Sequence, residues 1–323
     1  MFSVNWGKHL RPTGAAALSG RCGLIVGLGV LLVLFLSQAA EALDGRRGRY
    51  VFNDAETGKA ITVWYAKPDS FSADAPIVMV LHGQNRNAKN YRDAWKGHAD
   101  RHGFLLLAPE FSEELFPGNQ YEHGNYFAAT PAQAEKNKTF PQKNHSDYWS
   151  FRVPDKIFTD FGAHRETTNR RTYYIYGHSA GAQFVHRMLA VVPETKVQMA
   201  VAANAGRYTL PDADESWPYG LKEAAATSAE IRKFLAAPLV ILVGENDTDS
   251  EHPGLRRTKK ADRQGLNRLE RGRYFYDFGS ALAKSLGVPF GWRFQIVPGA
   301  AHSNKAMAEA AADLIAQDVS ANK

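Results

Sequence analysis

The sequence predicts an α/β fold in which a mostly parallel central sheet carries helices on both faces. From about residue 50 onward, short apolar runs alternate with helical stretches, which is the pattern of such a sheet. Four of the runs are apolar throughout, as expected of strands buried on both faces, and they cover residues 77–81, 104–108, 173–176 and 239–243.

The remaining elements follow from shorter signals. Two opening strands, 49–53 and 60–66, flank a turn at residues 56–58, and weaker strand signals cover 198–203 and 293–297. No internal repeat or linker-like segment interrupts the alternation, so we expect residues 43–323 to form a single domain. Helical stretches between the strands are predicted at 88–102, 180–192, 274–286 and 303–317.

Two long connections, residues 110–150 and 205–238, break this rhythm. Connections longer than about 15 residues tend to be lids or binding loops, although an inert insertion is the alternative. The first is a long loop rich in aromatic residues, which would suit an apolar acyl or alcohol group or would simply pin the loop to the body. Its aromatic residues are Phe111, Phe116, Tyr121, Tyr126, Phe127, Phe140, Tyr148 and Trp149.

The first 42 residues have the pattern of a signal peptide. Three basic residues precede or border an apolar run at 23–36, and Ala40-Glu41-Ala42 supplies a small-x-small cleavage site. An uncleaved anchor is the alternative, because the run is near the lower end of a bilayer span. We expect cleavage after Ala42, a secreted or periplasmic location, and no stable membrane insertion afterwards.

Composition excludes several classes of function. The net charge is +6, and the first 42 residues carry three basic residues against one acidic residue, which leaves +4 on the rest. That surplus does not by itself imply a nucleic-acid partner, so none is expected. The only cysteine, Cys22, lies in the leader, and the histidines lack paired ligand spacing. We therefore expect no disulfide, no metal and no cofactor.

The strongest motif is Gly177-His178-Ser179-Ala180-Gly181, which fits G-x-S-x-G. An apolar run leads into it and a helical stretch leads out, which is the strand-turn-helix context of a nucleophile elbow. Such a turn exposes the serine hydroxyl, and its glycines keep Cβ atoms out of crowded positions. Ser179 is therefore the predicted nucleophile.

A serine nucleophile of this type needs an acid and then a histidine later in the chain. The 239–243 run ends in an acidic loop, and catalytic groups in open α/β sheets lie at the carboxyl ends of strands. Asp247 is the preferred acid, with Asp249 and then Glu245 as alternatives. His302 follows the last strand and is the predicted base, which would take the Ser179 proton.

The oxyanion formed in acyl transfer needs preset N–H donors. We assign one to the backbone N–H of Ala180, directly after the nucleophile, and the other to the N–H of Gln84 in the loop after the third strand. His82 and His178 beside these positions are interpreted as structural braces rather than catalysts.

A basic segment follows the acid loop. Its helix-like spacing favours a solvated face, and the alternative is attraction of an anionic substrate. The segment consists of Arg256, Arg257, Lys259 and Lys260, extended by Arg263, Arg268, Arg271 and Arg273.

Together these motifs resemble the α/β-hydrolase superfamily, over about residues 49–317. Within it, the chain is similar to the branch of secreted serine esterases that includes polyhydroxybutyrate depolymerases and feruloyl esterases. The features that carry this are Leu81-His82-Gly83 with Tyr91, the G-x-S-x-G motif, residues 202–206 and residues 299–302. The resemblance implies an α/β-hydrolase fold and a serine hydrolase.

Depolymerases of this branch usually carry cysteines and often an appended binding domain. Residues 43–323 contain no cysteine, which departs from that pattern, so a small-molecule ester is the expected substrate. A serine peptidase or amidase is the second hypothesis, because the same triad can cleave amides. A non-catalytic extracytoplasmic binding protein on a hydrolase scaffold is the third. The sequence does not define the oligomeric state.

Overall fold

The computed structural model describes residues 43–128, 142–192, 194–224 and 226–322. Within these ranges eight strands form one sheet. The strands are β1 (Arg47–Asp54), β2 (Lys59–Ala66), β3 (Ile77–Leu81), β4 (Leu105–Pro109), β5 (Tyr173–His178), β6 (Val197–Ala203), β7 (Leu239–Gly244) and β8 (Arg293–Val297).

The strand order is β1-β2-β4-β3-β5-β6-β7-β8. β1 and β2 pair antiparallel, β2 pairs antiparallel with β4, and every later pairing is parallel. The predicted α/β fold with a mostly parallel sheet is therefore confirmed.

Helices lie on both faces of the sheet. Among the described residues, no helix is both long and apolar enough to cross a membrane. The helices are α1 (Ala88–His102), α2 (Val153–His164), α3 (Ala180–Val191), α4 (Ser228–Ala236), α5 (Lys259–Asp262), α6 (Arg268–Leu286) and α7 (Asn304–Ala321).

Adjacent residues of a buried strand face two different cores, because side chains alternate across a sheet. In β3, Val78 packs in the core covered by α1 and α7, whereas Met79 packs in the core covered by α2, α3, α4 and α6. Both residues are fully buried. A strand with helices on both sides has no polar face, which explains the unbroken apolar runs in the sequence.

Three of these helices were not predicted, and one of the three, α5, is a short helix within the basic segment. α2 follows the aromatic-rich loop and has Pro154 in its first turn, a common position for proline. α4 lies in the second long connection and begins with a capping box, in which Thr227 and Glu230 satisfy each other's backbone N–H groups. That signature was present in the sequence. The predicted signal peptide, residues 1–42, lies outside the described residues.

The parallel pairing brings three strand ends to one edge of the sheet. The end of β5 lies beside the end of β6, which pairs with β7, and Gly244 at the end of β7 pairs with Val297 at the end of β8. Residues that directly follow β5, β7 and β8 must therefore lie near one another, although they are far apart in the chain.

The turn from β5 into α3 depends on two glycines. A Cβ on Gly177 would overlap the carbonyl group of Gly181, and a Cβ on Gly181 would stand 2.6 Å from the carbonyl oxygen of Leu81. Both positions are therefore closed to any larger residue without movement of the backbone. This close packing sets where α3 starts relative to β3 and β5.

We expect Gly177→Ala to lower the free energy of unfolding by about 3 kcal/mol, because the methyl group displaces backbone rather than a flexible side chain. Gly97→Ala is the matched control, since Gly97 lies on the exposed face of α1 with no atom close to an added Cβ. That change should stabilise the protein by about 0.5–1 kcal/mol. Urea unfolding measures both, and equal stability of the two variants would contradict the packing argument.

Candidate active site

Ser179 lies at the first turn after β5, directly before α3. Its φ is 58°, in the left-handed region that residues with a side chain rarely adopt. Its backbone N–H donates to the carbonyl oxygen of Ala203 at 2.9 Å, which ties the strained residue to the end of β6. The side chain lines open cavities and is within reach of a ligand.

The structure brings Ser179, His302 and Asp247 together. The Ser179 hydroxyl lies 3.2 Å from His302 Nε2, and His302 Nδ1 lies 2.7 Å from Asp247 Oδ2. Asp247 is only 2% exposed, whereas Ser179 and His302 are half-buried. With Nδ1 protonated, His302 donates to the carboxylate and its Nε2 accepts the serine proton, as a general base requires.

The alternative acids have other partners. Asp249 is exposed and accepts from the backbone N–H of Glu251 at 2.9 Å, a local turn contact. Glu245 accepts from the N–H of Gly299 at 2.7 Å, so it holds the loop that carries His302. The geometry therefore favours Asp247 as the acid, and the catalytic role of the three residues stays a prediction.

Asn204 connects three of the strand ends and was missed by the sequence reasoning. It is fully buried with a φ of 51°. Its Oδ1 accepts from the N–H of Gly244 at 2.8 Å, and its Nδ2 donates to the carbonyl oxygen of Ala301 at 3.3 Å. These bonds link the end of β6 to the acid loop and to the His302 loop.

The two residues with predicted oxyanion donors lie near the nucleophile. Gln84 and Ala180 line the same cavity as Ser179. The Gly83 backbone lies against the nucleophile, because a Cβ at that position would be 3.7 Å from Ser179 Cβ. The N–H of Ala180 opens α3 and has no acceptor within the helix. Gln84 and Ala180 thus line the cavity that contains the nucleophile, and the donation by their N–H groups stays a prediction.

His82 and His178 have the contacts of braces. His82 donates to the carbonyl oxygen of Gly83 at 2.9 Å and accepts from the Phe111 N–H at 3.0 Å. Burial lowers its pKa to about 3, so the ring stays neutral. His178 contacts the Tyr91 hydroxyl at 3.0 Å and packs against the His302 ring at a centroid distance of 4.6 Å. Burial likewise lowers the pKa of His178 well below its usual value.

Arg268 lies against the predicted acid, whereas the sequence reasoning assigned it to a solvated face. That assignment is wrong, because Arg268 is 1% exposed. Its guanidinium lies 3.3 Å from Asp247 Oδ1, the oxygen that His302 does not use, and 3.3 Å from His252 Nδ1. The His252 ring stands edge-on to His302 at 5.2 Å. The buried Arg268 cation thus offsets the charge of Asp247 and contacts the His252 ring, which packs beside His302.

Five other residues of the basic segment fall into three groups. Lys260 and Arg263 each form an ion pair with Glu215 at 2.6 Å. Arg271 is fully buried, which also contradicts the solvated face, and donates to the carbonyl oxygen of Gly206 at 2.6 Å. Arg256 and Arg257 line the cavity that contains Ser179. The segment therefore contributes to the site as well as to the surface.

The aromatic residues of the 110–150 connection mainly anchor it. Four of the rings are at most 4% exposed, and one of these four, Tyr121, also lines the Ser179 cavity. Phe140 lies outside the described residues. The structure thus favours the anchoring interpretation over an aromatic substrate wall. The four rings are those of Phe111, Phe116, Tyr121 and Tyr126.

A charged network fixes the same connection to α3. Glu122 accepts from Arg207 at 2.8 Å and from Gln183 at 3.1 Å, and Arg187 donates to its backbone carbonyl at 2.9 Å. Burial alone would raise the pKa of Glu122, but the charges of Arg207, His123 and Arg187 outweigh it and lower the pKa to about 2. Glu122 is therefore ionised at neutral pH and holds this wall of the cavity in place.

Among the described residues, no group of three His, Cys, Asp or Glu side chains is arranged to hold a metal ion.

No protein-family model and no curated protein sequence matches the chain. Among solved structures, poly(aspartic acid) hydrolase-1 from Sphingomonas sp. KT-1 is 38% identical, covers 84% of this chain and 99% of its own, and has a TM-score of 0.78. LpqC, a poly(3-hydroxybutyrate) depolymerase from Bordetella parapertussis, is 35% identical over 83% of this chain and 89% of its own, with a TM-score of 0.75. These two structures confirm the predicted resemblance.

We expect Asp247→Asn to lower kcat by about 10⁴-fold, because an amide no longer holds His302 in the required tautomer. Asp249→Asn is the matched control and should change kcat by less than about threefold, since its carboxylate contacts only a local backbone N–H. Steady-state hydrolysis of one activated ester measures both variants. Similar losses in the two would leave Asp247 without its assigned role.

We expect Arg268→Gln to lower kcat by about tenfold, equivalent to about 1.4 kcal/mol of activation free energy. In this variant the pKa of the neighbouring His252 should rise, because burial and then the charge of Arg268 lower it in the native protein and that charge is removed. The pKa of His178, which burial, His302 and Arg268 lower, should move in the same direction. Nuclear magnetic resonance of the ring protons measures both titrations.

Arg268→Lys keeps the cation and should return the two histidine titrations towards those of the native protein. A loss of activity in Arg268→Gln with unmoved titrations of His252 and His178 would reduce Arg268 to a purely structural residue.

Proposed function

This chain belongs to the α/β-hydrolase family that includes poly(aspartic acid) hydrolase-1 and LpqC, and we propose that it is a serine hydrolase that cleaves carboxylic esters through an acyl-enzyme on Ser179. That it is a hydrolase follows from these relatives. The nucleophile and the ester bond are our proposal. The observation that carries it is the chain of contacts from the Ser179 hydroxyl through His302 to the buried Asp247.

In the first half-reaction the Ser179 oxygen attacks the acyl carbon while His302 Nε2 takes the hydroxyl proton. The carbonyl oxygen becomes negative and accepts hydrogen bonds from the N–H groups of Ala180 and Gln84. The bond to the leaving group then breaks, and His302 returns the proton to that group. Asp247 stays ionised and stabilises the imidazolium that forms in between.

In the second half-reaction a water molecule attacks the acyl-enzyme. His302 takes one proton from the water, the ester bond to Ser179 breaks, and the serine oxygen recovers the proton. The products are a carboxylic acid and free enzyme. Each N–H donor in the oxyanion site is expected to contribute about 10²–10³-fold to turnover.

Amide hydrolysis is the second candidate, and one relative favours it. Poly(aspartic acid) is a chain of amide bonds, whereas poly(3-hydroxybutyrate) is a chain of ester bonds, and the two relatives are named for these two polymers. A serine, histidine and aspartate arrangement can cleave either bond. We expected a small ester because residues 43–323 contain no cysteine. The two relatives are named for polymers instead, and the small ester stays a prediction.

We also propose that the protein acts outside the cytoplasm, on the basis of the basic, apolar and small-x-small pattern at residues 1–42. A binding protein without activity is the weakest hypothesis, because all three members of the triad are present.

The native protein should react with a fluorophosphonate probe, and Ser179→Ala should abolish this labelling. The same variant should lower the rate of p-nitrophenyl ester hydrolysis by at least about 10⁴-fold. Ser285→Ala is the matched control on an exposed helical position and should behave as native. An anilide with the same acyl group separates amide from ester hydrolysis. Labelling that survives Ser179→Ala would overturn the nucleophile, and an unlabelled native protein would favour the binding hypothesis.

A further inference from the structure

Two cavities meet at Ser179. One has a volume of about 550 Å³ and the other about 660 Å³, and both are lined by Gln84, Ser179, Pro253 and Gly254. The nucleophile thus lies between two arms of one cleft. We call the 550 Å³ cavity the charged arm and the 660 Å³ cavity the amide arm, from the side chains that line them.

His302 lines the amide arm, and Ala180 lines the charged arm. The histidine has to deliver its proton to the leaving group, so that group must lie within reach of His302 Nε2. The leaving group therefore belongs in the amide arm. Since the acyl carbon is held at Ser179 between the arms, the rest of the acyl group extends into the charged arm.

The amide arm offers neutral hydrogen-bonding groups from asparagine side chains. Its one arginine, Arg268, already lies against Asp247. No unpaired cation therefore lines this arm among the described residues. The asparagines are Asn85, Asn87, Asn90 and Asn304.

Most cations of the charged arm already have acidic partners. Arg86 pairs with Glu113 at 2.9 Å, Arg207 pairs with Glu122 at 2.8 Å, and Arg257 pairs with Asp262 at 2.9 Å. These pairs shape the arm but contribute little net charge to it.

Arg256 differs from them. It is exposed and lines the charged arm, and within the described part of the chain no hydrogen bond or ion pair involves its side chain. Its charge also affects a side chain of the 110–150 connection, that of His123. Burial first, and then the nearby charges of Arg187, Arg207 and Arg256, lower the pKa of His123 well below its usual value. The guanidinium is thus available in the cleft for an anion.

We propose that the charged arm recognises a carboxylate on the acyl portion of the substrate, and that Arg256 is the residue that binds it. This rests on the proposed function, because it places the acyl group relative to Ser179 and His302. The substrate class is therefore an ester or amide whose acyl part carries a second, free carboxylate. A carboxylate on the leaving group would enter the amide arm and would not meet Arg256.

The test uses two charged substrates that differ in where the carboxylate lies. 4-Nitrophenyl hydrogen adipate carries it on the acyl side, and 4-carboxyphenyl hexanoate carries it on the leaving group. The methyl ester of each carboxylate is the neutral reference. Arg256→Gln should lower kcat/KM for the acyl-side carboxylate about fivefold relative to its neutral reference. The corresponding ratio for the leaving-group carboxylate should stay within about twofold of native.

Two further measurements make the assignment specific. Arg256→Lys should keep most of the preference, and raising the salt concentration should weaken it in the native protein, because an exposed ion pair is screened. Arg273→Gln removes the same charge at an exposed site over the Phe294 ring and should leave the ratio unchanged.

Equal effects of Arg256→Gln on the two charged substrates, or a larger effect on the leaving-group carboxylate, would overturn the acyl-side assignment while Ser179-dependent hydrolysis of the neutral esters continued. Hydrolysis that persists in Ser179→Ala would instead overturn the proposed function, and the subsite with it.

Discussion

The alignment of three parallel strand ends is the constraint on which the site depends. β5, β7 and β8 lie in the same half of the strand order and run in the same direction. The residues that follow them therefore meet at one edge of the sheet. Two hydrogen bonds of the Asn204 amide and one accepted by the Glu245 carboxylate then fix the loops that follow. A contact of 2.7 Å between His302 and Asp247, 55 residues apart, is possible only because the sheet sets both backbones.

Burial gives that contact its strength. Asp247 is almost fully enclosed, and a buried carboxylate without partners would cost several kcal/mol. His302 occupies one of its oxygens, and Arg268 lies against the other. The Asp247 carboxylate therefore has a partner for each oxygen, the His302 ring for one and the Arg268 cation for the other. This arrangement links the long helix α6, which carries Arg268, to the chemistry at the end of β8.

The shape of the cleft has a separate origin. The 110–150 connection is anchored by buried rings and by the network of Glu122 with Arg207, Arg187 and Gln183, so its wall is set by packing and ion pairs. The loop at 253–257 also lines the cleft, as does Ser179. His302 lines only the amide arm, so the two arms differ chemically.

The sequence by itself determined the sheet, the elbow at Ser179 and the acid and histidine at later strand ends, because strand hydrophobicity, glycine spacing and chain order are local properties. It preferred Asp247 over the neighbouring acids without any contact to support that choice, and it placed Arg268 and Arg271 on a solvated face. The surroundings of these residues are decided by the tertiary structure. Whether an arginine is solvated, buried against a carboxylate or open to a cleft depends on which distant elements pack beside it, and periodicity along one segment carries no record of them.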